Sequence, residues 1–304
     1  FGIIFISFVA LVLNFFVPLN KEVNSVFLLT FLIIFILIFK KKINFYNLFY
    51  FSIISGATSF LLLMLSHIYN PDGGLYHYPY VNILNNEKII LGLSNLHFRY
   101  GHISIIQYTS AFFYNFLFNL NGIVIPLASL SSFIILNFLF KIFESLKKKE
   151  INFYVIFLVL ILVYISYKMN RYSGYGNDAP AHFLFFYLIS EIFKKKNITI
   201  EHKFNLLLIS VFIFLNKITM GLAILLPLVL INFKKLKKYN YISLYFSILL
   251  FLFWLLKTLL ISGCLIYPVK STCIKNLEWT NINQTKMMSV QSEAWSKGWP
   301  DRKN

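Results

Sequence analysis

Apolar positions come in long blocks rather than in alternating or one-faced patterns. They cover 1–18, 23–39, 46–66, 122–143, 152–168, 179–193, 203–216, 218–233 and 240–262. Each block is long enough, or nearly so, to cross a hydrocarbon core of roughly 30 Å as a helix. In lipid the backbone must satisfy its own amides, so such a block is helical. The pattern predicts an all-α fold: a polytopic transmembrane helical bundle of about nine spans. A further apolar segment, 102–118, is rich in Tyr, Phe, Ser and Gln and reads ambiguously.

What separates the blocks decides the topology. Basic runs stand at Lys40–Lys42, Lys147–Lys149, Lys194–Lys196 and at Lys234, Lys235, Lys237 and Lys238. Placing all four in the cytoplasm satisfies the positive-inside rule. A full crossing by 102–118 would put Lys147–Lys149 outside, so that segment is expected to be interfacial or re-entrant on the outer side. The outer face then receives loop 67–121, loop 169–178, the junction around Asn216–Thr219 and the tail from Gly263 onward. Within the long outer loop, the spacing of Leu75, Tyr76, Tyr78, Tyr80, Val81, Ile83 and Leu84 predicts an amphipathic surface helix. His67, His77, His97, His102 and His182 fall in or beside these segments, whereas His202 lies on the lysine side. Two regions are expected: a membrane domain over 1–262 and a periplasmic tail over 263–304. The expected place is the bacterial inner (cytoplasmic) membrane, multi-pass, with the chemistry on the periplasmic face.

Composition agrees with a membrane chain. Of 304 residues 58% are hydrophobic, against about 45–50% in soluble domains, and mean hydropathy is +0.71. A net charge of +17 would suggest nucleic acid in a soluble protein. Here the lysines sit in short runs between apolar blocks, so the partner expected is the bilayer, with no nucleic acid. Residues 1–18 are apolar throughout and lack a small-residue cleavage site, unlike a removable signal peptide. The chain opens at Phe1 inside an apolar run and stops in a polar stretch, so a fragment is expected, with the tail truncated.

The candidate chemistry lies at the outer ends of the blocks. Asp72-Gly73-Gly74-Leu75-Tyr76-His77 follows block 46–66. Its glycines let the backbone turn tightly near a ligand. Its carboxylate can take a proton from a hydroxyl or hold a metal, unless it merely closes a Pro-Asp-Gly turn. Asp72 and His77 are candidate ligands of a divalent ion, Mg or Mn; no other cofactor is expected. His97 and Arg99 can contact phosphate, or be interfacial and snorkelling groups. Asn170–Asp178 forms a second polar knot, in which Arg171, Asn177 and Asp178 are candidates and Asp178 is also a plausible helix N-cap. Lys217 and Lys257 are lone cations near the outer ends of apolar segments, suited to an anionic lipid headgroup or to snorkelling. Cys264 and Cys273 are the only cysteines, and on an oxidising face they can pair.

DGGLYHYPYVNIL, GLSNLHFRYGHIS and SGCLIYPVKSTCIKNLEW, with the many spans and the polar tail, resemble the GT-C superfamily of integral-membrane glycosyltransferases. The resemblance covers most of the chain. It implies transfer of a sugar from a polyprenyl-phosphate or polyprenyl-diphosphate carrier to a glycan or lipid acceptor, outside the membrane. It further implies that Asp72 acts as base or metal ligand. One departure is that two spans precede the loop-bearing pair, where the simplest GT-C arrangement has one. His77 and Asp178 as assisting groups, and Tyr76, His97, Arg99, Arg171, Asn177, Lys217 and Lys257 as substrate contacts, rest on side and spacing alone. An O-antigen polymerase or ligase, and a lipid-linked glycan flippase or transporter, are the alternatives. The flippase predicts internal inverted repeats, and the halves show none.

Overall fold

The computed structural model describes residues 1–39, 45–64, 72–194, 199–231 and 241–298. Lys40–Lys42, His67, Lys195, Lys196 and the lysines of 234–238, with the topology argument they carry, lie outside the described residues. Among the described residues the chain is helical, with no strand. The helices are α1 (Gly2–Leu13), α2 (Lys21–Phe39), α3 (Phe45–Met64), α4 (Tyr78–Asn86), α5 (Ile105–Phe112), α6 (Ile125–Lys147) and α7 (Phe153–Tyr167). They continue as α8 (Met169–Tyr172), α9 (Asp178–Lys194), α10 (Ile200–Asn216), α11 (Leu225–Leu230), α12 (Ile242–Ser262) and α13 (Ile282–Ser296).

Among the described residues three stretches are long and apolar enough to cross a membrane: Lys21–Ile38, Asn119–Lys147 and Ile242–Ser262. Shorter apolar helices occupy Gly2–Leu13, Leu48–Leu63, Phe153–Tyr167 and Ile218–Leu230. Their outward faces carry large apolar side chains, such as Ile33, Leu37, Ile54, Leu160 and Val229, all more than half exposed. A monomer in water rarely exposes continuous apolar surface beyond a few hundred Å².

Helix ends follow local chemistry. Asn152 caps α7 by accepting from the Val155 amide, and Thr199 caps α10 by accepting from the His202 amide. Gly263 ends α12 in the left-handed region (φ 76°), where a side chain would also strike Thr280. The break between blocks 203–216 and 218–233 is real: α10 stops at Asn216 and a 3₁₀ turn, Ile218–Ile224, follows.

The segment 102–118 departs from the interfacial half of the expectation, while the re-entrant half is left open. Its helix, α5, is buried at all eight positions, so it does not lie at an interface with one face open. It packs against α1, α4, α6 and α10. Its polar side chains are satisfied inside the protein: Tyr108 meets the Tyr80 hydroxyl at 2.8 Å, Thr109 meets Ser7, and Gln107 reaches His77. Buried polar groups are tolerated when paired in this way. By contrast α4 is one-faced, with Tyr80, Val81 and Leu84 inward and Asn82 and Asn86 outward.

α9 and α10 run antiparallel and are joined at both ends, by an ion pair at one and a carboxylate–imidazole contact at the other. Asp178 meets Lys217 at one end (2.6 Å), and Glu191 meets His202 at the other (3.3 Å). The two pairs lie about 20 Å apart, from a rise of roughly 1.5 Å per residue. Lys141 of α6 joins Glu191 at 2.6 Å, and Lys148 and Lys194 line a cavity beside it. The described lysines of two basic runs therefore share the end opposite Asp178.

The tail folds back over the loop that precedes α5. Cys264 and Cys273 are disulfide-bonded. Tyr267 packs on His102 and leaves Gly101 no room for a side chain. Trp279 closes on Gly92, whose φ of 67° favours glycine, and its carbonyl accepts from Asn95 at 2.8 Å.

Candidate functional site

The first group of site residues is built on the chain leaving α3. Asp72 opens a π-turn, Gly73–His77, which runs directly into α4. Asp72 makes no capping bond. Its carboxylate instead accepts from Arg99 at 3.2 Å. The Arg99 guanidinium also lies 4.7 Å from the centre of the Tyr76 ring, a cation–π contact that fixes its plane. Burial, aided by Asp72, pushes the Tyr76 phenol up to about 12, so it stays protonated and can only donate or accept a hydrogen bond. His97 stands at the rim, where its Nδ1 accepts from the Arg99 amide and its ring stacks on Phe98.

His77 is the centre of the site. It is 4% exposed, and burial pushes its imidazole down to about 4 despite the nearby charges of Asp72 and Asp178. It is therefore neutral at pH 7. Its tautomer follows from a chain of hydrogen bonds. The Ser104 amide donates to Gln107 Oε1 (3.2 Å), which turns the Gln107 amide nitrogen toward His77 Nδ1 (3.0 Å). Nδ1 is thus the acceptor and Nε2 carries the proton. Nε2 faces Gly176, where an added side chain would come within 3.4 Å.

The second group is built at the start of α9. Asp178 accepts from Arg171 (2.5 Å) and from Lys217 (2.6 Å). Lys217 is delivered by the break after α10. Asn216, just before it, accepts from the Ile106 amide (3.1 Å) and from Ser104 (3.3 Å). The same Ser104–Gln107 cap therefore positions both His77 and Lys217. Asn177 lies half-buried between Gly176 and Asp178. His182 accepts or donates at Nδ1 with the Tyr172 hydroxyl (3.0 Å), one turn into α9.

Two candidates fall elsewhere. Lys257 is fully buried on α12, where its ammonium donates to Asn14 Oδ1 at 2.9 Å and faces the Phe15 and Tyr108 rings. It is held by the fold and is not joined to Asp72 or Asp178. The Cys264–Cys273 bridge belongs to the tail. Gln107, Ser104, Asn216 and Tyr175 were not singled out from the sequence. They are polar residues scattered through apolar stretches, and only their long-range partners reveal them.

Among the described residues no three His, Cys, Asp or Glu side chains form a set able to hold a metal ion. Arg99 already supplies to Asp72 the positive charge that Mg or Mn would bring. His77 has Nδ1 occupied and its proton on Nε2. This pair does not fit a hard divalent cation, and no step below uses one.

Replacing Gln107 by Leu is expected to leave Nδ1 buried without a partner, at a cost of about 1–3 kcal/mol. It also frees the imidazole to change tautomer. Unfolding in detergent and the ¹⁵N shifts of His77 check this; unchanged shifts would remove Gln107 from the tautomer argument.

These features define an all-helical protein with membrane-length helices and a charged, hydrogen-bonded site gathered at one end of α9 and α10. A family model described as a domain of unknown function (DUF8201) matches residues 1–300, and the chain belongs to that family. No curated protein and no solved structure matches it.

Proposed function

We propose that the protein is a multi-pass membrane glycosyltransferase of GT-C type. It moves a sugar from a polyprenyl-phosphate donor to a glycan or lipid acceptor on the outer face of the bacterial inner membrane. One observation carries the reading. Two carboxylates far apart in sequence, Asp72 and Asp178, flank one neutral imidazole, and Arg99, Arg171 and Lys217 surround them. The exposed apolar flanks of the helices support a lipid setting, with the four shorter apolar helices and α9 and α10 bringing the three long stretches to about nine spans.

The chemistry follows from charge. The acceptor hydroxyl oxygen attacks the anomeric carbon of the donor. The bond from that carbon to the phosphate oxygen breaks, and polyprenyl phosphate leaves with the electron pair. The hydroxyl proton passes to a carboxylate. Asp72 suits that task better, since its side chain is 41% exposed, whereas Asp178 is 28% exposed and held by both Arg171 and Lys217. The N–H of His77 and the cations near Asp178 stabilise the charge that develops on the phosphate.

The test is sugar transfer in membranes supplied with lipid-linked donors, comparing wild type with Asp72→Asn, with and without EDTA. Loss of a general base costs about 10²–10⁴-fold, so the variant is expected to fall by at least a hundredfold and EDTA to change nothing. Transfer indifferent to Asp72 would move the base to Asp178. Carrier movement across the bilayer without transfer would favour the flippase.

A further inference from the structure

One residue past His77 lies a cavity of about 270 Å³, between α4, α5 and the 3₁₀ turn Asn119–Val124. At roughly 30 Å³ per water it has room for about nine waters, the space of one sugar ring. No charged side chain lines it. Tyr78, Asn82, Ser110 and Tyr114 contribute hydroxyls and an amide, and Val81 and Ile123 contribute apolar surface. Tyr78 stacks on Tyr175 (4.9 Å between centres, 14° between planes), and Tyr175 meets the His77 ring edge-on. Pocket and site therefore share a wall.

The lining is chemically selective. Ser110 is 1% exposed, and its hydroxyl lies against that of Tyr175, which is also buried. The polar side chains open to an occupant are Tyr78, Asn82 and Tyr114, none of them buried. A bare alkyl chain would take their hydroxyls and amide out of water with no hydrogen bond in return. An anion would find no cation in the lining. An uncharged polyhydroxyl ring offers hydroxyls at its edge and C–H groups on its face, which suits the tyrosine rings.

We propose that this cavity binds a single neutral sugar residue of the acceptor glycan and holds its hydroxyl toward Asp72. The assignment to the acceptor rests on the transferase reading. The test is ligand-observed NMR on the full chain in nanodiscs. The probes are methyl glucoside, methyl galactoside and N-acetylglucosamine, against glucuronate and glucose 6-phosphate. At least one neutral probe is expected to bind, with the charged sugars about tenfold weaker or absent. Tyr78→Ala is expected to weaken binding about tenfold, as loss of an aromatic contact does. Because Tyr78 also packs on Tyr175, a second variant, Leu120→Trp, fills the mouth from a side chain that is 77% exposed. It is expected to weaken binding equally. Binding untouched by both pocket variants, or stronger for charged sugars, overturns the proposal. So does the absence of neutral-sugar binding while Asp72-dependent transfer proceeds, which spares the transferase reading. Pocket-dependent binding without transfer from any donor keeps the sugar site and removes the acceptor role.

Discussion

Lys141→Met is expected to destabilise the protein by about 3–5 kcal/mol. Lys141 and Glu191 are each 8% exposed and meet at 2.6 Å between α6 and α9. Removing the ammonium strands a buried carboxylate, with the neighbouring His202 ring 3.3 Å from its other oxygen. The double variant Lys141→Met/Glu191→Leu removes both charges and restores an apolar contact. It is expected to recover most of the loss, because the desolvation of two ions disappears with their attraction. Unfolding by denaturing detergent measures both variants. Equal loss in the single and double variants would show that packing, not charge, makes this contact.

Acid is expected to weaken the fold in a window set by His77 and His102. Burial pushes both imidazoles down to about 4, from about 6.5 in an unfolded chain. The unfolded state therefore binds more protons between these values. Their contribution to stability is complete above about pH 6.5, falls as pH drops toward 4, and is flat below. For His77 the loss is on the order of 3 kcal/mol. It is smaller for His102, whose ring keeps some surface although its Nε2 is shut off and unpaired. Unfolding free energies at pH 7, 6, 5 and 4 test this, with His77→Asn expected to shrink the drop across the whole window. A wild-type profile level over that range would mean that the imidazoles are charged or hydrated in the folded protein.

The sequence was informative where one physical rule acts locally. Apolar blocks become helices, the stop at Asn216 is a stop, and α4 is one-faced, because hydrophobic burial and backbone hydrogen bonding leave a periodic trace. The polar knots around Asp72 and Asp178 were visible as breaks in that trace. The pairings were not. Arg99 is joined to Asp72 across 27 residues and Lys217 to Asp178 across 39, and no periodicity encodes such a distance. The interfacial reading of α5 failed for a related reason: Gln107, Tyr108 and Thr109 look like interface residues until their partners in the π-turn, α4 and α1 are known. Lys257 was read as a cation for a ligand, whereas Asn14 and two aromatic rings already occupy it.

The polar contacts at both ends of the α9–α10 hairpin have a mechanical consequence. A slide of one helical turn is about 5.4 Å, and it would break the Asp178 and Glu191 contacts together. The hairpin thus behaves as a stave clamped at each end, which bends or tilts as a unit but does not change register. Any parting of helices that admits a lipid tail must come from elements without such clamps, along the apolar flanks of α2, α3 and α7.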